Sequence, residues 1–210
     1  PVLALDRWWW RNAGQLVLSD SKLVPLGRVG TDIGDWDISP ELQEMAYIER
    51  AEGASGLYVA RAPDFEPELV DPEACDIAYL RGTSLLAYFS PCAARRLVLN
   101  DRRAGSTRAL AENVLSSFGA PVIRLVRDRK LYLTNSDPDQ GTGALWLVQG
   151  DEDPVQIGDN SRLDYRFMPD GGLLTVVDWT ETGGRLIYWK EGESLDIAEG
   201  VYELGSLGVL

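Results

Sequence analysis

The chain predicts an all-β protein assembled from repeats of a four-strand unit, and three observations carry that expectation. Short runs of β-branched and aromatic residues alternate with clusters of Gly, Pro, Asp and Asn along nearly the whole length, which is the pattern of short strands joined by tight turns. A helical apolar period fits only "STRALAENVLSSFG" (106–119). One short run also returns in the same form, as "QLVL" at 15, "GLYV" at 56, "RLVL" at 96, "ALWL" at 144 and "RLIY" at 185. Aligned on Leu16, Leu57, Leu97, Leu145 and Leu186, the copies are 41, 40, 48 and 41 residues apart.

The flanks repeat in phase with that run. Each unit opens on a first apolar run, "PVLAL", "DWDIS", "DIAYL", "PVIRLV" or "LDYRF". A second follows after a Gly- or Pro-bearing turn, "RWWW", "EMAYI", "SLLAYF", "KLYLT" or "LLTVV". The recurring run comes third, and a proline- or acid-flanked run closes the unit, "LVPLG", "EPELV", "TRALA", "PVQIG" or "SLDIA". Four short antiparallel strands in about 40 to 45 residues define a β-propeller blade. The prediction is therefore an all-β propeller of five four-stranded antiparallel blades of 40–48 residues, a single domain over 1–210 with units at about 1–31, 32–74, 75–120, 121–161 and 162–210. The 48-residue step is assigned to the longer turn "NSDPDQGTG" (135–143), and 110–119 to a connection between blades. Counting from Leu186 through the last residue and on from the first to Leu16 gives 40, within the range of the internal spacings. Two readings stay open: a closed ring of five, or five blades of a longer chain.

Two segments resemble the TolB-like propeller repeats, relatives of the WD-type repeats. "FMPDGGLLTVVD" (167–178) is similar to that family's Ser-Pro-Asp-Gly turn into the second strand, and "ISPELQEMAYIE" (38–49) keeps Ser39 and Pro40 but has Glu-Leu in place of Asp-Gly. The turn has a physical reason, since Pro sets φ at the first turn position and Gly accepts the positive φ that closes the hairpin. The resemblance implies a fold whose members serve as partner-binding scaffolds, ligand binders and appendages of enzymes. No unit ends its third strand on Trp-Asp, which points away from eukaryotic signalling propellers.

Composition narrows the chemistry. With 210 residues and 45% hydrophobic residues the chain is long enough for a sizeable core. No apolar run reaches the roughly 18 to 20 residues of a bilayer span, and "PVLALDRWWWRNAG" lacks the layout of a signal peptide. A net charge of −13 and a pI near 4.4 repel nucleic acid and anionic membranes, so no nucleic acid and no membrane insertion are expected. There is no histidine, which removes the usual general base, the Ser-His-Asp arrangement and the commonest transition-metal ligand. No cofactor is expected.

Candidate sites follow from placement. Cys75 and Cys92 flank a predicted hairpin whose turn, Arg81-Gly82-Thr83, lies midway between them. Folding on that turn sets the sulfurs opposite one another, as a disulfide or as two reduced thiols, and the former implies an oxidising, extracytoplasmic compartment. Asn135, Asp137 and Asp139 alternate ahead of Gly141, like the start of a calcium loop, but Trp146 stands where the bidentate Glu belongs; the alternative is a solvated turn. Trp8 and Trp10 share one face of their strand, either packed between blades or forming an aromatic platform. Trp179 and Glu181 sit where "VVD" meets "TETGG", with Trp179 expected to be exposed. The turns between second and third strands and the blade connections gather on one acidic face, with Asp137, Asp139 and Trp179 near its centre. Arg95, Arg96, Arg102 and Arg103 are expected to form a locally neutralised surface, the alternative being a contact for an acidic partner. The expected function is a non-catalytic scaffold that binds a protein partner. The alternatives are a lectin-like carbohydrate or small-ligand binder and, less favoured, a carboxylate-pair glycosidase.

Overall fold

The computed structural model describes residues 7–12, 15–20, 25–30, 32–39, 41–50, 55–117, 120–126, 128–137 and 140–204, with backbone alone for 7–30 and 120. The chain divides into two compact units, one running to Glu112 and including Ser116–Pro121, the other formed by Asn113–Leu115 and the chain from Val122 onward.

In the first unit, β1 (Arg7–Asn12), β2 (Gln15–Asp20) and β3 (Pro25–Gly30) form a three-stranded sheet; the first run, "PVLAL", lies outside the described residues. Next come β4 (Ile33–Ser39), β5 (Glu44–Glu49), β6 (Gly56–Arg61) and β7 (Pro67–Asp71), followed by β8 (Cys75–Tyr79), β9 (Leu85–Phe89), β10 (Leu97–Asp101) and β11 (Ser106–Ala111). The short pair β12 (Ser116–Ser117) and β13 (Ala120–Pro121) completes it. The second unit holds β14 (Ile123–Val126), β15 (Arg129–Asp137), β16 (Thr142–Gln149) and β17 (Val155–Ser161), then β18 (Tyr165–Phe167), β19 (Leu173–Thr180), β20 (Gly183–Lys190) and β21 (Glu193–Val201). The four four-stranded sheets are antiparallel, with strands ordered as in the chain. Among the described residues there is no α-helix, only a 3-10 turn at Cys92–Ala94, and no helix long and apolar enough to cross a membrane.

The recurring run becomes the third strand in each four-stranded sheet, as β6, β10, β16 and β20, and the middle strand β2 of the first. Second and third strands read as apolar runs because both faces are covered: Met45–Tyr47 and Leu86–Phe89 are at most 2% exposed. Fourth strands are the least covered: β17 sends Ile157 into the core, whereas Glu193–Gly200 of β21 is exposed throughout. Within the first unit, Ala46, Ile48, Leu57 and Val59 pack with Ile77, Tyr79, Leu86, Tyr88 and Val98. In the second, Leu131, Leu133, Leu145 and Leu147 pack with Leu173, Val177, Ile187 and Trp189. Each such aliphatic side chain contributes roughly 1.5 to 3 kcal/mol of transfer free energy.

Turn chemistry follows the sequence. Around "MPDGG" the Met168 amide donates to the Gly172 carbonyl (2.8 Å), the Asp170 carboxylate accepts from the Gly172 amide (3.1 Å), and Gly171 takes φ 89°. In the weaker copy Gln43 takes the positive φ, 52°, and the Ser39 hydroxyl accepts from the Leu42 amide.

The 48-residue step needs correction. The β15–β16 turn is short, since β15 runs to Asp137 and β16 starts at Thr142. The extra length lies in the connection 112–122, whereas β7 to β8 and β17 to β18 are joined by 72–74 and 162–164. In the second unit this connection is anchored by Val114, which bridges to Thr134, and by the Leu115 amide, which donates to the Leu133 carbonyl (2.9 Å).

Polar groups join the second and third sheets. The Asp35 carboxylate accepts from the Ile77 amide (3.1 Å) and the Asp37 carboxylate from the Tyr79 amide (2.7 Å). Burial raises the Asp35 pKa, opposed by its bonds from the Ile77 and Trp36 amides. Glu44, buried on β5, accepts from the Tyr79 hydroxyl (2.6 Å), Arg102 Nε (3.0 Å), and Arg61 Nε and Nη2 (3.0 and 2.7 Å). Burial and the Glu44 charge push the Tyr79 hydroxyl far above the usual phenol range. Arg102, expected at the surface, is thus largely withdrawn from it, its side chain 11% exposed.

Candidate binding cleft

The second unit carries a cleft of ≈ 300 Å³ at the end of its first sheet, lined by Asn135, Asp137, Thr142, Gly143, Ala144, Asp159 and Asn160. Two β-bulges build it. The β15–β16 register breaks between Thr134 and Asp137, and the β16–β17 register breaks between Gly143 and Leu145. A bulge leaves its extra residues unpaired and re-aims their side chains, here Asn135 on one flank and Asp159 and Asn160 on the other. Asn135 (φ 50°) and Asn160 (φ 42°) both take the left-handed conformation, which Asn tolerates better than most residues. Gly143 is needed between them, because a Cβ there would meet the Thr134 carbonyl oxygen at 2.6 Å and Ser136 Cα at 3.0 Å.

The groups on the walls are mainly acceptors. The Asp137 carboxylate accepts from the Gln140 amide (3.3 Å), and the Asp159 carboxylate from the Gln156 side-chain amide (2.6 Å). Asn160 spends its amide NH2 on the Trp179 carbonyl, which leaves its oxygen free to accept. Asp137 and Thr142 are directly opposed across the hairpin and therefore share a face of the sheet. Thr142 is 1% exposed, and its hydroxyl has no hydrogen-bond partner.

The last sheet repeats the two bulges with different side chains. Its registers break between Val177 and Thr180 and between Gly184 and Leu186, so that Asp178, Gly183, Gly184 and Gly200 occupy the places of Asn135, Thr142, Gly143 and Asn160. Asp178 is engaged by Arg185 Nη2 (2.6 Å), and the glycines present no polar side chain. The backbone device recurs, whereas the polar lining belongs to the earlier sheet.

The sequence-predicted residues divide as follows. Asn135 and Asp137 line the cleft, and Asp139 lies outside the described residues. Among the described residues no three His, Cys, Asp or Glu side chains gather to hold a metal ion. Glu181 is exposed on the neighbouring turn. Trp179, expected to be exposed, is only 7% so. The Arg162 guanidinium lies 3.7 Å from its ring centre and the Tyr202 ring packs edge-on at 5.9 Å. Residues distant in sequence cover the indole, which no local pattern announces. Trp8 and Trp10 stand two apart on β1, opposite Ser19 and Val17. Cys75 and Cys92 are bonded, with Cα atoms 5.5 Å apart. The sequence places Asp159 on the acidic face with Asp137 but does not join the two in a cleft; Asn160 and Thr142 escape it, and the left-handed propensity of Asn in "GDNS" is the one signal pointing to a bulge there.

No family model and no curated protein matches the chain. Among solved structures it is similar to the Pyrococcus horikoshii acylaminoacyl peptidase, at 14% identity over 80% of this chain and 32% of that one, with a TM-score of 0.45. It is also similar to Kluyveromyces lactis Hsv2, at 16% identity over 89% and 58% of the two chains with a TM-score of 0.48. A Listeria monocytogenes protein matches at 15% identity over 91% and 62% with a TM-score of 0.48. The chain spans between 32% and 62% of the length of these structures. Propeller blades are common to such neighbours, and in this chain the strand pairing itself defines the four-stranded meanders.

Proposed function

We propose that the chain is a non-catalytic propeller domain of the TolB-like kind, with five blades, whose acidic loop end binds a protein partner in an oxidising, extracytoplasmic compartment. The disulfide supports the compartment. The observation that carries the binding role is the gathering of exposed Asp137, Asp159 and Glu181 at the turn end of the second unit, on loops held by packed four-stranded sheets. Loops on a rigid scaffold are favoured positions for recognition, and carboxylates there select a basic partner surface and speed its association.

The test is binding of an immobilised Lys- and Arg-rich peptide across a salt series. The wild-type chain is expected to bind with a steep salt dependence. Replacement of Asp137, Asp139 and Glu181 by Lys should abolish binding with the fold intact by circular dichroism. Undiminished binding by that folded variant removes the acidic end from the interface.

A second reading has one observation in its favour, since Asp137 and Asp159 place two carboxylates in one cleft. A glycosidase would show turnover of nitrophenyl glycosides that Asp159→Asn eliminates; no turnover by the wild-type chain across a glycoside panel argues for binding alone.

A further inference from the structure

We infer that the cavity beside the innermost strands β14 and β18 binds the carboxylate of a small organic acid, held by the Tyr165 and Phe167 amides and the Arg124 guanidinium. The site shares no residue with the acidic loop end and stands independently of it. The repeat itself shows what such amides take. In the first unit the Ile77 and Tyr79 amides of β8 donate to the Asp35 and Asp37 carboxylates of β4, at 3.1 and 2.7 Å. The register fixes which residues hold those places in the second unit. Ile48 and Leu133 are the partners of the recurring Leu57 and Leu145; two residues earlier on each strand, Ala46 pairs with Asp37 and Leu131 with Arg124. Arg124 thus stands in the place of Asp37, and Val122 in that of Asp35. Counted likewise from Leu97 and Leu186, Ile77 and Tyr79 correspond to Tyr165 and Phe167. Along an antiparallel strand, residues alternate between pairs that exchange hydrogen bonds and pairs that direct them away. The Leu80 and Met168 amides both donate inward, to Leu85 and Gly172, so Tyr165 and Phe167, like Ile77 and Tyr79, present their amides at the open edge.

Where the first unit meets those amides with two carboxylates, the second has a valine and a cation. A cavity of ≈ 370 Å³ lies at this edge, lined by Val126, Leu163, Asp164, Tyr165, Arg166 and Phe167, room for a small organic molecule. Arg124 is exposed two residues before Val126 on β14, on the same face. Burial raises the Tyr165 hydroxyl, and the charges of Arg124 and Arg166 oppose that rise, so both act on the cavity wall. Arg166 is committed to the Tyr165 and Leu204 carbonyls (2.8 and 2.9 Å), and the Asp164 carboxylate to the Leu204 amide. Among the described residues Arg124 has no hydrogen bond or ion pair. The Tyr165 and Phe167 rings meet edge-on at 5.6 Å and, with Leu163, pack on the core, which makes a fixed apolar wall. Sheet-edge amides form anion-binding concavities, and two of them beside a guanidinium and an aromatic wall select a carboxylate carried on an apolar body, the group that Asp35 and Asp37 supply internally.

Amide NMR titration with benzoate tests the site, with benzamide as the neutral isostere and inorganic phosphate as a second anion. Benzoate is expected to shift the Tyr165 and Phe167 amides saturably. Benzamide should bind about tenfold more weakly, since an ionised acceptor makes the stronger hydrogen bonds, and Arg124→Gln should weaken benzoate by about the same factor. Arg124→Asp puts the internal comparison to use: its carboxylate is expected to take the Phe167 amide as Asp37 takes that of Tyr79. The Phe167 amide proton should then move downfield without ligand and benzoate binding should disappear, with the fold intact by circular dichroism. No saturable shift with benzoate, equal affinity for benzamide, an equal response to phosphate, or undiminished benzoate binding by folded Arg124→Gln overturns the proposal.

Discussion

Tyr79, on the first strand of one sheet, donates its hydroxyl to the buried carboxylate of Glu44, on the second strand of the sheet before it, at 2.6 Å. Arg102 and Arg61 complete the carboxylate's partners, with side chains 11% and 48% exposed. Burial decides the cost of breaking each contact. Glu44→Ala strips Arg102 of its buried partner, leaving it only the 68%-exposed Glu68 at 3.2 Å, strands the Tyr79 hydroxyl, and is expected to cost about 3 to 5 kcal/mol. Arg61→Ala removes a half-exposed partner and should cost about 1 kcal/mol or less, with Tyr79→Phe near 1 to 2 kcal/mol. Urea unfolding of the three variants gives the ranking; a Glu44→Ala cost no larger than that of Arg61→Ala would show that the network adds little.

Asp101 and Asp35, both in the first unit, are shifted in opposite directions. Asp101 is held below the usual carboxylate range by the Ser84 hydroxyl (2.7 Å), against the opposing effect of burial, and by the Ala104 and Arg103 amides. Its folded pKa is depressed, so its contribution is present above pH 3.8, the ordinary value, and is lost as pH falls below that value through the folded one. Asp35 is raised, chiefly by burial, so its charged form is a penalty that develops as pH rises above 3.8 and through its folded pKa. Carboxyl carbon NMR should place the Asp101 midpoint below, and the Asp35 midpoint above, those of exposed aspartates. Asp101→Asn should cost about 1 kcal/mol at neutral pH and nothing at a pH where Asp101 is protonated; a cost independent of pH contradicts the assignment.

The Cys75–Cys92 bond closes a loop with a sequence separation of 17, for which chain entropy predicts about 3 kcal/mol. The native chain, unfolded and alkylated without reductant, should gain no mass, and the Cys75→Ser, Cys92→Ser double variant should lose that stability. Two alkylated thiols would show that the bond is absent.

At Gly143 the approach of the Thr134 carbonyl leaves no room for a side chain. Gly143→Ala is expected to cost about 1 to 3 kcal/mol by overpacking and to open the cleft. Gly82→Ala is the control, because its φ of 76° is strained for Ala but nothing lies within 4 Å; it should cost about 1 kcal/mol. Equal costs would mean that the close approach at Gly143 relaxes freely.

The strands were legible because period, turn residues and apolar runs all report on nearby backbone. The four-strand pattern around Leu57, Leu97, Leu145 and Leu186 follows from spacing alone, and so did the pairing of Cys75 with Cys92, since one hairpin links them. The polar sites were not legible. Glu44 sits between Gln43 and Met45 at the head of an apolar run, and its partners lie 17, 35 and 58 residues away. Trp179 looked exposed beside a turn, but its cover comes from Arg162 and Tyr202. Asp137 was singled out by its turn, whereas Asp159 and Thr142 reach the same cleft only because two strands are bulged around Gly143.

The paired aspartates of β4 act as a registration key. Asp35 and Asp37 are two residues apart and reach amides that are also two apart, Ile77 and Tyr79. Because a strand presents N–H and C=O groups alternately along an edge, sliding β8 by one position would bring carbonyl oxygens to both carboxylates, a repulsive contact that no side-chain rotation relieves. Sliding by two would restore one bond and forfeit the other. Apolar packing tolerates small slips, since one aliphatic surface resembles the next, but two fixed anions facing two fixed donors admit a single alignment. The second and third sheets are thereby indexed to one another by charge, with carboxylates on one strand reading the amide spacing of another.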